Sequence, residues 1–143
     1  MPENSQSSFR KSFAFKLKEN PLINLALFLI TVVTTTIAGV YWTTNIQGPI
    51  EFSKLALGLP YAFSILLILG VHEFGHYFAA VVHKVKATLP YFIPFPPNLL
   101  SFGTMGAVIK TKSIIPDNKA MFDIGAAGPI AGFAVCLTIL AYG

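Results

Sequence analysis

The chain has 143 residues, 54% of them hydrophobic and 11% charged, with a net charge of +4 and a mean hydropathy of +0.66. A charged fraction under half the usual soluble value of about 25% excludes an ordinary soluble domain and leaves a one-domain membrane protein. A single cysteine, Cys136, excludes a disulfide framework, and basic residues that flank apolar runs speak for membrane orientation and against nucleic-acid binding.

Residues 1–20 form a polar tail carrying Arg10, Lys11, Lys16 and Lys18. Phe9, Phe13 and Phe15 among these cations suit contact with an anionic bilayer surface, and a plain solvated tail fits the same composition. Residues 21–143 then make up the membrane domain. Pro21 suits the first turn of a helix, where its missing N–H is not needed, and the apolar run 22–42 is long enough to cross a bilayer. Tyr41 and Trp42 mark its far interface. Its threonines, Thr31, Thr34, Thr35 and Thr36, either bond back to their own helix or reach a neighbour. A loop with a Gly48-Pro49 turn leads to a second apolar run, 55–82, closed by Lys84 and Lys86.

Inside that second run stands His72-Glu73-Phe74-Gly75-His76. Histidines four apart on a helix project from one face, since four residues turn about 400°. That spacing suits two bonds to a tetrahedral Zn²⁺, with room for a third ligand and a water. Glu73, beside the first histidine, is placed to take a proton from that water. A charged group at mid-membrane costs about 2.5–3.5 kcal/mol, so titratable side chains at this depth call for a functional reason. His76 lies about 12 Å along the helix from Lys84, below the surface on the lysine side.

Residues 85–116 are too rich in proline for a helix and too apolar for a solvated loop, so the stretch 89–97 is expected at the membrane boundary or dipping into it under protein cover. The β-branched run 107–115 reads as a strand, pairing with 85–89. Such a strand beside a protease site can hold a substrate segment by backbone pairing, or simply plug the bundle. Pro116-Asp117 ends it and opens a third span, 120–143, with Gly128 and Gly132 as a small-residue face and Pro129 as a kink. The expected fold is therefore an all-α polytopic membrane protein with about three transmembrane helices and a small β-hairpin and proline-rich loop between the second and third. Four basic residues in the tail, Lys54 alone in the first loop and five (Lys84, Lys86, Lys110, Lys112, Lys119) after the second span put the N-terminus and the active-site side in the cytoplasm or an equivalent compartment.

The HExxH motif in a span, the segment 89–96, Gly103-Thr-Met-Gly-Ala-Val-Ile109 and Phe122-Asp-Ile-Gly-Ala-Ala-Gly-Pro-Ile-Ala-Gly132 together resemble the site-2 protease family, the intramembrane zinc metalloproteases. The resemblance implies a metalloendopeptidase that cuts transmembrane segments of substrate proteins within the bilayer, in regulated proteolysis. It carries zinc to His72 and His76 and the role of base to Glu73. The family's third ligand, an aspartate in an Asn-Pro-Asp-Gly or Leu-Asp-Gly type motif on a later span, has no counterpart here. Asp117 reads as a helix cap, Asp123 resembles a family position not assigned to zinc, and His83 lies about 10 Å along the axis from His76 and reads as interfacial. The chain is accordingly expected to be the N-terminal portion of a longer protein, with little protease activity alone. The rival readings are a proteolytically inactive membrane relative, a metal-transport protein using the same histidines, and a membrane protease of the prenyl-protein type.

Overall fold

The computed structural model describes residues 20–45, 48–98 and 101–143. The tail expected over residues 1–20 lies outside them except for Asn20, whose side-chain oxygen accepts from the Leu22 N–H at 3.2 Å and caps the first helix, α1 (Pro21–Thr44). Thr31, Thr35 and Thr36 of α1 are satisfied within the helix. Thr31 donates to Leu27 O and Thr35 to Thr31 O, each at 2.7 Å, so their hydroxyls do not face lipid unpaired. A 3₁₀ turn (Phe52–Lys54) leads into α2 (Leu55–Val82). This helix ends in a Schellman motif: Val85 N–H donates to Ala80 O at 2.8 Å, Lys84 N–H to Val81 O at 3.0 Å, and Lys84 takes the left-handed conformation at φ 57°. Val85 is thereby turned inward onto Ala80 and Ile124.

The connection back to the third helix is a two-stranded antiparallel ribbon, β1 (Tyr91–Pro94) and β2 (Thr104–Val108). Tyr91 pairs with Val108, Phe92 with Ala107 and Pro94 with Thr104, a register shift that sets Met105 and Gly106 of β2 against Ile93 of β1 as a bulge. This shifts the expected strands. Tyr91–Pro94, within the proline-rich segment, is itself a strand, and 85–89 meets 107–115 only at the ribbon's base, through the Ala87–Thr111 bridge and bonds that include Thr88 N–H to Lys110 O and Lys112 N–H to Lys86 O. Prolines are tolerated because each strand of a two-stranded ribbon has one edge that needs no N–H donor. The third helix, α3 (Asn118–Tyr142), starts at Asp117, whose carboxylate accepts from Ala120 N–H at 2.7 Å, the cap expected of that residue.

All three helices are long and apolar enough to cross a membrane, so the expected fold class is the observed one. Helix α2 is central, with α1 on one flank and α3 on the other, both antiparallel to it. The ribbon lies along α1, from the Phe28–Phe92 ring contact at 5.2 Å to the Trp42–Phe102 stack at 6.1 Å. Those two anchors are fourteen residues apart on α1, about 21 Å, so the ribbon descends through most of a bilayer's thickness. Its tip carbonyls are met by α1: Thr34 Oγ1 donates to Gly103 O at 2.6 Å and Trp42 Nε1 to Ser101 O at 3.2 Å. Non-helical backbone at this depth needs such partners. Gly103 has φ 77°, and a Cβ there would lie 2.5 Å from Thr34 O, so only glycine lets the tip sit this close.

Where α1 crosses α2 the backbones touch. A Cβ on Gly39 would lie 2.7 Å from Gly58 O, and one on Gly58 would collide with the Thr36 carbonyl. Gly58→Ala is expected to push backbone against backbone and destabilise the bundle by about 1–3 kcal/mol, seen as a lowered melting temperature in detergent micelles. An unchanged melting temperature would show that the two helices do not pack as described.

Candidate metal centre

Helix α2 presents His72 and His76 to α3 at the level of two glycines. A Cβ on Gly128 would overlap the His76 ring, and one on Gly132 would lie 3.1 Å from His72 Cβ and 3.2 Å from its Nδ1. The small-residue face of α3 thus makes room for the two imidazoles. Gly75, between them in sequence, lets the helices close up, since a Cβ there would be 2.6 Å from Ala127 O. The two rings stand edge to face with centroids 4.8 Å apart.

Their nitrogens converge. His72 Nε2 and His76 Nε2 are 3.1 Å apart, and His76 Nδ1 is 2.6 Å from the backbone oxygen of Ile124. A carbonyl oxygen only accepts, so Nδ1 carries the proton and donates it, and in the neutral ring Nε2 is left with a bare lone pair. Two nitrogens at this separation share either one proton or one cation. Two ligands of a tetrahedral zinc at about 2.05 Å are separated by about 3.3 Å, and a carbonyl on the far ring nitrogen is the usual support of a metal-bound histidine. The two imidazoles fit as two of the four ligands of one zinc ion.

Glu73 is buried, with 6% of its surface exposed, on a stripe it shares with Ala62 and Ala80, also buried. These positions lie within about 20° of one another around the helix, to one side of the histidines. Strand β2 packs against α2. The acidic residues considered as ligands go elsewhere. Asp117 caps α3, and Asp123 Oδ2 stands 3.0 Å from His83 Nε2. Among the described residues no third histidine, cysteine or acid joins the pair. The residue that sequence reading missed is Ile124, because it acts through its backbone. Its only sequence signal is the four-residue spacing of Ile124, Gly128 and Gly132, which antiparallel packing sets against the matching spacing of Ala80, His76 and His72.

The opposite face of α2 is apolar. There α1 and α2 splay apart and, with the ribbon, enclose a groove of about 500 Å³ walled by Leu25, Phe28, Leu67, Phe74 and Phe92. The site and the groove are separated by the thickness of one helix.

The chain is 38% identical over 141 residues to Probable zinc metalloprotease EGY1, chloroplastic, of Oryza sativa subsp. japonica, a match covering 85% of this chain and 24% of that protein. It is 36% identical over 140 residues to the protein of the same name from Arabidopsis thaliana, covering 85% and 25%. Probable zinc metalloprotease EGY2, chloroplastic, of Arabidopsis thaliana is 36% identical over 86 residues, covering 60% and 15%. The chain therefore spans about a quarter of the length of its two EGY1 relatives. No solved structure matches it. The profile of Peptidase family M50 matches residues 60–143, which take in α2 from Pro60 onward, the ribbon and α3. With more than half its length matched, including the HExxH helix and the glycine face opposite, the chain belongs to peptidase family M50, the site-2 protease family.

Proposed function

We propose that this chain carries the two-histidine and general-base half of an intramembrane zinc metalloendopeptidase that cuts transmembrane segments of substrate proteins. The observation that carries the reading is the convergence of the His72 and His76 Nε2 atoms, with His76 held by the Ile124 carbonyl. Family membership and the names of the relatives support it. His72 and His76 would hold the zinc, and a further ligand from the complete polypeptide would finish the set. Zinc supplies, when bound, a Lewis acid for the scissile carbonyl and an acidified water.

The chain's own residues do the rest. Glu73 takes a proton from the attacking water and returns it to the leaving amine. Its burial keeps competing bulk water away from that transfer. A transmembrane substrate hides its carbonyls in helical hydrogen bonds and must unwind before it can be cut. Strand β2, with β1 on one side and an edge free of strand partners among the described residues on the other, offers backbone groups that hold an unwound segment extended next to α2. On the lysine distribution, the N-terminus and the ribbon's base face the cytoplasm or an equivalent compartment.

The test is metal removal from the complete polypeptide reconstituted in nanodiscs. Cleavage of a membrane-spanning substrate is expected to vanish with a zinc chelator and to return with added zinc, one ion per chain, because binding that lacks a preformed all-protein cage is reversible. Zinc that binds without cleavage would make this an inactive relative. Cleavage that survives full removal of metal would overturn the reading.

A further inference from the structure

We propose that His83 and Asp123 are a positioning pair for the metal centre. Their contact seats the Ile124 carbonyl, and that carbonyl fixes the tautomer of His76. The proposal rests on the reading of His76 as a ligand.

Two polar contacts join α2 and its cap to α3 among the described residues: His76 Nδ1 to Ile124 O at 2.6 Å, and His83 Nε2 to Asp123 Oδ2 at 3.0 Å. Apart from the imidazoles over the two glycines and the packing of Val85 on Ile124, the contact surface is built largely from small residues, among them Gly75, Ala80, Gly128 and Gly132. Small smooth faces set how near two helices come, but they resist sliding along the axis poorly, because they lack interlocking side chains. Something else must fix the axial position of α3 to a few tenths of an ångström for a 2.6 Å bond to persist.

The two polar contacts do this in opposition. In a helix, carbonyls point toward the C-terminus and Cα–Cβ bonds lean toward the N-terminus. The Ile124 carbonyl therefore points along α3 toward His76, while the adjacent Asp123 side chain leans the other way, toward His83. Since α2 and α3 are antiparallel, His76 and His83 hold two neighbouring residues of α3 from opposite axial directions. A slide that lengthens one contact is opposed by the other. His83 is held at the right place by the Schellman turn of Lys84 and Val85, with Val85 buried against Ile124 itself. His83 and Asp123 are 25% and 39% exposed, so the pair contributes little stability. Its value is geometric.

The experiment uses the chain labelled with ¹⁵N-histidine, in nanodiscs, in mildly alkaline buffer where imidazole is neutral. The wild type is expected to show His76 as a single Nδ1–H tautomer. Asp123→Ala should give a mixture of tautomers and about a 10-fold loss of zinc affinity, the size seen when the partner behind a metal-bound histidine is removed. The exchanged pair, His83→Asp with Asp123→His, should restore both. Should Asp123→Ala fail to fold, His83→Ala removes the same contact and carries the same expectation. A single tautomer and unchanged zinc affinity in a folded Asp123→Ala or His83→Ala would overturn the proposal, as would an exchanged pair that folds but restores neither. Failure of the wild type to bind zinc would instead count against the metallopeptidase reading, while the tautomer would still decide whether the pair acts on His76.

Discussion

Glu73→Gln is expected to slow cleavage of a membrane-spanning substrate by about 10²–10⁴-fold while leaving the zinc in place. Glutamine keeps the size and the oxygen of glutamate but cannot accept the proton. Glu73 is almost wholly buried on the flank of α2, and the imidazoles that would hold zinc are one position back and three positions on. A substitution there should therefore separate proton transfer from metal binding. Turnover by the complete polypeptide and metal content by elemental analysis are the two readouts. Wild-type turnover in the variant would remove Glu73 from the mechanism, and loss of zinc together with activity would recast it as part of the metal shell.

Gly128→Val is expected to weaken zinc binding by about 100-fold or more, beyond the usual effect of disturbing a ligand's support, with the helices still folded. The first carbon added at position 128 meets the Nε2, Cδ2 and Cε1 atoms of His76. A ring tip can move aside more cheaply than a backbone, so the strain is relieved by turning His76 away from His72 and from Ile124 O. That outcome differs from Gly58→Ala, where the obstacle is the backbone of α1 and stability is lost. Gly125→Ala provides the control: a Cβ there has nothing within 4 Å, so affinity and fold should both hold. Equal zinc affinity in Gly128→Val and the wild type would mean that α3 does not approach the histidines as described.

Much of this is legible in the sequence. Apolar runs of span length marked the helices, because lipid leaves the backbone no alternative to internal bonding. The second helix ends at the expected Val82, and the start of the third was readable from Asp117, a cap whose preference is local. The ribbon was only half legible. Prolines lower strand propensity, so the stretch 89–97 reads as irregular, yet Pro94, the one proline of Tyr91–Pro94, is tolerated on a strand with one edge unpaired among the described residues. The β-branched run 107–115 overshadows Thr104–Val108, whose Gly106 at φ 104° looks unlike a strand residue until it is seen as part of the bulge in β2 opposite Ile93.

The site divides in the same way. His72, Glu73 and His76 lie within five residues, so helical geometry alone predicted the shared face. Gly128 and Gly132 were read as packing residues, but that they pack on the imidazoles depends on how α3 lies against α2. Asp123 and His83 are 40 residues apart, and Ile124 contributes a peptide oxygen that every residue possesses. No local pattern encodes either contact.

One attachment has a mechanical consequence. The ribbon hangs from α1, through Thr34, Trp42 and Phe28, whereas the histidines are clasped by α3. A tilt of α1 about its glycine crossing with α2 would swing the ribbon like a boom, advancing or withdrawing its outer edge beside the helix that carries Glu73. The imidazoles, tethered on the other flank, would stay still. The ribbon's backbone edge and the paired imidazoles are thus anchored by different flanking helices, so a substitution that loosens one attachment is expected to leave the other in place.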